Sequence, residues 1–294
     1  MSAEPIRGRE EQRDLVPPAL RDDAHKGDAG RLLCLVGSRL MPGAALLVAR
    51  AAQRAGAGLV TVGCQDEELL GLVPTGAPEA VLLDLAGREA PTLVLEQRCD
   101  HALVCGCGLG QGDRARQLVE ALFSCTLACP LVLDADALNL LSRAPEQIRA
   151  WRGPVVITPH PGEAARLLGR AVPSDDEARL AAARQLSQRT GAIAVLKGHR
   201  TVVAQGERVY VNDTGNAGMA TAGAGDVLAG ILGAYLALCG TGAFPRWTPL
   251  DAACAAVRVH GLAGDVAAAH VGRRALIASD LVTWLPSAQR RLEG

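Results

Sequence analysis

The hydrophobic positions along the chain change their period repeatedly, and each change marks an element. Leu32–Val36 is a continuous apolar run ending in Gly37-Ser38, the pattern of a buried strand. Ala44–Ala55 repeats apolar residues at helical spacing and is closed by Gly56. Leu59–Val62 reads as a strand again. Further strands are predicted at Ala102–Cys105, Leu131–Asp134, Val155–Thr158 and Ala194–Leu196. Helical stretches lie between them, notably Asp113–Phe123 and Glu177–Thr190. Val202–Val211 divides into two short β-like runs around Gly206-Glu207, which predicts a hairpin. Three helices follow: Asp226–Leu238, Leu250–Ala269 and Ala278–Gln289. Strands alternating with helices imply an α/β fold, with a mainly parallel sheet covered on both faces.

Composition narrows this picture. Of 294 residues, 49% are hydrophobic, enough for a substantial core. Length alone would suggest two domains. No linker divides the chain, so residues 25–294 read as one domain behind a charged N-terminal arm, residues 1–24. The net charge of −1 offers no field for nucleic acid. The N-terminal stretch lacks the apolar core of a signal peptide. Val227–Leu238, the longest apolar helical run, is shorter than the roughly 20 residues of a membrane span. Nine cysteines at irregular spacing form no disulfide framework and no closed zinc set. Read as reduced, small hydrophobes, they point to the cytoplasm.

In sheets of this kind, ligands bind beyond the carboxyl ends of the strands. The richest candidate is 212–226, which holds Gly215, Gly218, Gly223 and Gly225 and then opens a helix at Asp226. Glycines allow close backbone approach, and free N–H groups at a helix start bind phosphate oxygens. Asp226 reads as a cap or as a catalytic carboxylate beside an anion hole; the preceding glycine run favours the second. Gly106–Gly110 follows a strand but lacks the last glycine of a dinucleotide fingerprint. No Walker-type phosphate loop occurs. Thr158–Glu163 projects His160 and Glu163 from a proline-rigidified turn. Lys197–Thr201 follows another strand. Asp134 and Asp136 either organise Mg²⁺ through water or cap the next helix, and the local sequence leaves both open.

These motifs, in order, resemble the NAD(P)H-hydrate dehydratases, a ribokinase-like family. The resemblance runs through His25–Asp28, Met41–Ala45, Ala55–Thr61, Gly106–Gly110, Leu133–Asn139, Thr158–Glu163, Leu196–Gly198, Gly215–Gly230, His260–Gly264 and Ala278–Leu281. It implies a three-layer α/β/α sandwich and repair of hydrated NADH or NADPH (NADHX, NADPHX). ADP with Mg²⁺ would phosphorylate the ring hydroxyl of the S epimer, and loss of phosphate would restore the reduced cofactor, releasing AMP. Asp226 matches the catalytic base and also touches substrate. Lys197, Gly198, His199, Arg200 and Thr201 match one nucleotide-binding segment. Asn216, Ala217, Gly218, Met219, Ala220, Thr221, Ala222, Gly223, Ala224 and Gly225 match the other. Ala44, Gly108, His160, Pro161, Gly162, Glu163, Ala164, Ala165 and Arg166 match hydrate-binding positions. No residue is singled out as a metal ligand. A homotetramer and a separate epimerase are the implied partners.

The sequence departs from the family at Ala222 and Ala224, where glycine and threonine are usual, and at Cys107 and Ala217, which replace prolines. The last two exchanges are expected to loosen their loops. Few aromatic residues (two Tyr, two Phe, three Trp) predict an adenine held by aliphatic side chains. A ribokinase-like kinase of a small alcohol fits Gly223–Asp226 equally well, and a non-catalytic nucleotide sensor is the third reading.

Overall fold

Nine strands run side by side in the order β3-β2-β1-β4-β5-β6-β7-β8-β9. The computed structural model describes residues 15–87 and 91–293. The first half comprises β1 (Arg31–Leu35), α1 (Pro42–Arg54), β2 (Leu59–Cys64), α2 (Glu67–Gly76), β3 (Val81–Asp84), α3 (Pro91–Glu96), β4 (Ala102–Cys105), α4 (Asp113–Ser124), β5 (Leu131–Leu133) and α5 (Ala135–Leu141). The second comprises β6 (Val155–Ile157), α6 (Pro161–Leu168), α7 (Asp176–Thr190), β7 (Ile193–Leu196), β8 (Val202–Gln205), β9 (Arg208–Val211), α8 (Ala224–Gly240), α9 (Pro249–Val271) and α10 (Ala278–Glu293). Strands β1 to β7 are parallel, and β8 and β9 close one edge as the expected antiparallel hairpin.

The pleat sorts alternate side chains into two cores. In β1, Leu32 and Cys34 face one core, which includes residues of α1, α8, α9 and α10. Leu33 and Leu35 face the other, with residues of α4, α5, α6 and α7. This is the three-layer α/β/α arrangement. Helix α8 is apolar on nearly every side because it lies against the sheet with α1 and α9 beside it. Helix α9 starts with a capping box, in which Thr248 and Asp251 satisfy each other's backbone N–H.

The strands at the site end sooner than their apolar runs. Asp134 and Thr158 lie just past β5 and β6, because the chain turns there to present polar groups. Helix α8 starts at Ala224, so Asp226 occupies its first turn rather than its first position. The α2–β3 unit carries no clear sequence signal: Pro74 sits inside the helix, and β3 is a half-exposed edge strand.

Residues 1–14 of the expected arm lie outside the described residues, while Leu15 is buried in the first core. The His25–Asp28 motif is also structural. It forms a local turn, with the His25 N–H donating to Asp28, and its Lys26 carbonyl lies where a side chain on Gly58 would sit, 1.9 Å from a Cβ there. That contact is at the start of β2, at the amino end of the sheet. No described helix is long and apolar enough to cross a membrane.

Candidate active site

The chain winds outward from β1 to β3, then crosses back to β4. The sheet therefore has its switch point between β1 and β4, the place beyond the strand ends where such sheets form a ligand crevice. The two loops that border it are tied together, the Gly37 N–H donating to the Cys107 carbonyl at 2.7 Å. Ala44 and Gly108 meet here: a Cβ on Gly108 would come within 2.6 Å of the Ala44 Cβ. Gly108 has φ +61°, so glycine is required on both counts.

Asp226 stands beside this crevice. The residue before its helix, Gly223, adopts φ +88°, which lets the glycine-rich segment turn sharply into α8. No side chain caps that helix; the Ala224 N–H turns back to the Thr221 carbonyl at 3.4 Å, which leaves those of Gly225 and Asp226 for an anion. Burial, then the negative charge of Asp134, push the Asp226 carboxyl up to about 6, against opposing effects of Lys197 and a hydrogen bond from the Cys107 thiol. A carboxylate so tuned suits a general base near neutral pH.

Lys197, at the end of β7, reaches across to β5. Its Nζ lies 2.7 Å from Asp134 Oδ1 and 3.9 Å from Glu163 Oε2. Burial alone would lower the lysine's pKa, but the two carboxylates outweigh it and hold the ammonium charged. Asp134 makes no side-chain cap for α5. Its neighbour Asp136 accepts the Gly110 N–H at 2.8 Å and the Gln111 amide at 3.1 Å, bracing the Gly106–Gly110 loop. The two aspartates thus do different work, which their spacing did not reveal.

A cavity of about 640 Å³ opens beside these groups. Lys197, Gly198, His199, Arg200 and Thr201 line one wall; Asn216, Ala217, Met219, Ala220, Thr221, Ala224 and Gly225 line another. Two predicted nucleotide segments therefore form one chamber. Gly218 and Gly223 are turned from it, packing against the Arg273 carbonyl and against Leu47 and Ala278. Ala222 is exposed beside them. Its apolar walls come from Leu228, Val257 and Met219.

His160 and Pro161 also line this cavity. His160 caps α6 through Nδ1, which accepts the N–H of Gly162 at 3.0 Å, while Glu163 accepts the His160 N–H at 2.8 Å. The turn thus caps its helix and borders the cavity at once. Ala164 is buried in the second core and Ala165 is half-buried. Arg166 is exposed and donates to the Asn139 side chain at 3.0 Å.

Several contributors were given no role in the site from sequence. Cys107 is fully buried, its thiol donating to Asp134 Oδ2 at 3.6 Å and lying within electrostatic reach of Asp226. The exchange from proline places a polar donor among carboxylates, whereas the sequence suggested only a looser loop. His260 Nε2 donates to the Ala224 carbonyl at 2.9 Å, and burial pushes the imidazole down to about 4, so it is neutral. Asp265 holds the glycine-rich segment from α9. His260 and Asp265 both come from α9, and their partners lie dozens of positions earlier in the chain, so only the docked helix reveals them.

Among the described residues, no cluster of three or more acidic, His or Cys side chains is arranged to hold a metal ion. Asp134 and Glu163 are nonetheless carboxylates beside the cavity, a setting for a hydrated Mg²⁺ carried by nucleotide phosphates.

Comparisons with known proteins agree with this geometry. The family model described as NAD(P)H-hydrate dehydratase matches residues 32–287. The bifunctional NAD(P)H-hydrate repair enzyme of Escherichia coli K12 is 44% identical over 90% of this chain and 48% of its own length. The chain thus spans about half the length of the bifunctional relatives it matches. The ADP-dependent (S)-NAD(P)H-hydrate dehydratase of Neisseria meningitidis serogroup B is 42% identical over 87% of this chain and 86% of its own. Among solved structures, the ADP/ATP-dependent NAD(P)H-hydrate dehydratase of Bacillus subtilis, co-crystallised with ATP and Mg²⁺, aligns with a TM-score of 0.82. It is 31% identical, over 96% of this chain and 97% of that one. The α/β/α sandwich is accordingly ribokinase-like. With the family model covering most of its length and relatives above 40% identity, the chain belongs to the NAD(P)H-hydrate dehydratase family.

Proposed function

We propose that this protein uses ADP to dehydrate the S epimer of NADHX or NADPHX, returning NADH or NADPH with AMP and phosphate. One observation carries the reading: Asp226 stands between two sites. On one side, its neighbour Gly225 and Lys197 line the cavity suited to a nucleotide. On the other, Asp226 is close enough to the buried Cys107 thiol for each to shift the other's ionisation, and Cys107 adjoins Gly108 and hence Ala44, the matched hydrate positions.

The ring hydroxyl is a poor leaving group. Asp226 takes its proton as the oxygen attacks the β-phosphorus of ADP, and AMP departs. The free N–H groups of α8 and the Lys197 ammonium balance charge on the transferring phosphoryl. The carbon–oxygen bond then breaks, driven by the ring nitrogen lone pair. Loss of a proton from the adjacent ring carbon restores the double bond. Bound Mg²⁺ would neutralise phosphate charge, with Asp134 and Glu163 as the nearby carboxylates.

Nine free cysteines accord with a reducing cytoplasm. The other epimer would reach the enzyme through an epimerase, and a homotetramer is the assembly the family resemblance implies. The test is incubation with NADPHX, ADP and Mg²⁺, following the near-ultraviolet absorbance of the reduced nicotinamide. No regeneration with either ADP or ATP would sink the proposal. A stable phosphate ester of a small alcohol would indicate a kinase, and nucleotide binding without turnover a sensor.

A further inference from the structure

The segment Gly215–Gly223 is coil and a single 3-10 turn, Ala217–Met219, so contacts outside it must set its shape. Helix α9 supplies them. The Gly215 N–H donates to Asp265 Oδ2 at 2.9 Å, and Asn216 Nδ2 donates to Asp265 Oδ1, also at 2.9 Å. The same Nδ2 reaches the Gly264 carbonyl at 3.0 Å, while Asn216 Oδ1 accepts the Gly218 N–H at 3.0 Å. This network admits one orientation of the Asn216 amide, since the reverse would point its oxygen at two acceptors. Met219 completes the seat. Its thioether fills the notch at Gly264, where a Cβ would come within 2.2 Å of Sδ.

Asp265 is well inside a helix of 23 residues. Aspartate there is a poor helix former and caps nothing. Its two carboxylate oxygens instead accept charge-assisted hydrogen bonds from the start of the segment. Asn216, Ala217 and Met219, which those bonds seat, form part of the cavity wall. Asp265 itself is not among the residues lining it.

We propose that Asp265 is a positioning residue for the nucleotide, locking Gly215 and Asn216 so that the cavity wall is formed before ADP arrives. This rests on the nucleotide-binding reading of the segment. Preorganisation of this kind appears in affinity, because a wall ordered only on binding subtracts from it. The helix that carries Asp226 is held by a different residue, His260, through the Ala224 carbonyl.

Asp265→Asn discriminates well. It keeps an oxygen for one donor but points an NH₂ at the NH₂ of Asn216. The expected result is an ADP Kd by calorimetry raised on the order of tenfold, the effect of about one lost hydrogen bond to a charged group. The kcat at saturating ADP and the KM for the hydrate should stay within about twofold. Asp265→Glu keeps the carboxylate and should fall between wild type and Asp265→Asn, giving a second readout if the amide variant folds poorly. An unchanged ADP Kd in Asp265→Asn would overturn the proposal. So would equal losses of ADP and hydrate affinity alongside a lower Tm, which would mark a general structural role. Calorimetry on the wild type separates this inference from the dehydratase reading. ADP binding without regenerated NADPH defeats that reading alone, whereas absence of ADP binding defeats both.

Discussion

Lys197 Nζ lies 2.7 Å from Asp134 Oδ1, an ion pair that joins the ends of β7 and β5 across the intervening β6. Asp134 is 2% exposed, so little solvent could replace the lysine as its partner. Lys197→Met should therefore destabilise the fold by about 3 kcal/mol or more, the cost of stranding a buried charge. Lys197→Met with Asp134→Asn should recover much of the loss without restoring turnover. Urea unfolding of the three proteins reads this directly, and a single variant as stable as wild type would refute it.

Asp226 makes opposite demands on activity and stability. As a base it must be ionised, so kcat/KM should rise with pH through about 6. Its folded pKa is above the ordinary 3.8, so between those values the folded state binds more protons than the unfolded. Stability from this group is therefore greatest at low pH, falls as pH rises through that window, and is flat above it. Asp226→Asn should abolish turnover, keep ADP binding, and match or exceed wild-type Tm at about pH 8, with the gain shrinking towards about pH 4. A large Tm loss at the higher pH would contradict this.

Gly225 sits in the first turn of α8, where alanine is the better helix former by about 0.5–1 kcal/mol. A Cβ there would lie 3.3 Å from Lys197 Nζ and 3.8 Å from Asp134 Oδ2. The lysine is held by its ion pair and yields poorly. The crowding should cancel the helix gain, so Gly225→Ala should not raise Tm, and it should weaken ADP binding on the order of tenfold. Undiminished affinity would mean that phosphate does not approach this turn.

The Cys107 thiol donates among carboxylates, and burial, with the charges of Asp134 and Asp226, holds it protonated far above its usual range. Its hydrogen bond to Asp226 favours the ionised base. Cys107→Ala should therefore move the acid limb of the pH–kcat/KM profile to higher pH, and Cys107→Ser, which keeps a donor, should hold it near wild type. Coincident profiles for all three would assign Cys107 to packing alone.

Most of the fold was legible in local patterns. Strand β4 is observed as predicted, and the β8–β9 hairpin turns at Gly206-Glu207. Burial on both sheet faces writes continuous apolar runs, and glycines mark the turns. Edge strand β3 left no such mark because one flank stays in solvent. The glycine-rich segment and Asp226 were legible for the same local reason: an anion-binding turn must be built from residues adjacent in sequence.

The partners of that turn were not. Lys197 and Asp134 are 63 positions apart, and Asn216 and Asp265 are 49 apart. Sequence placed Asp134 at a strand end with two equal readings; the fold removes the cap and gives it a lysine from across the sheet instead. Cys107 looked like a loosened loop until packing set its thiol among carboxylates. Backbone conformation depends on neighbours in the chain, so local sequence carries it. A charge or a proton takes its character from whatever the fold brings within a few ångströms, and here those groups come from different strands and from a helix near the end of the chain.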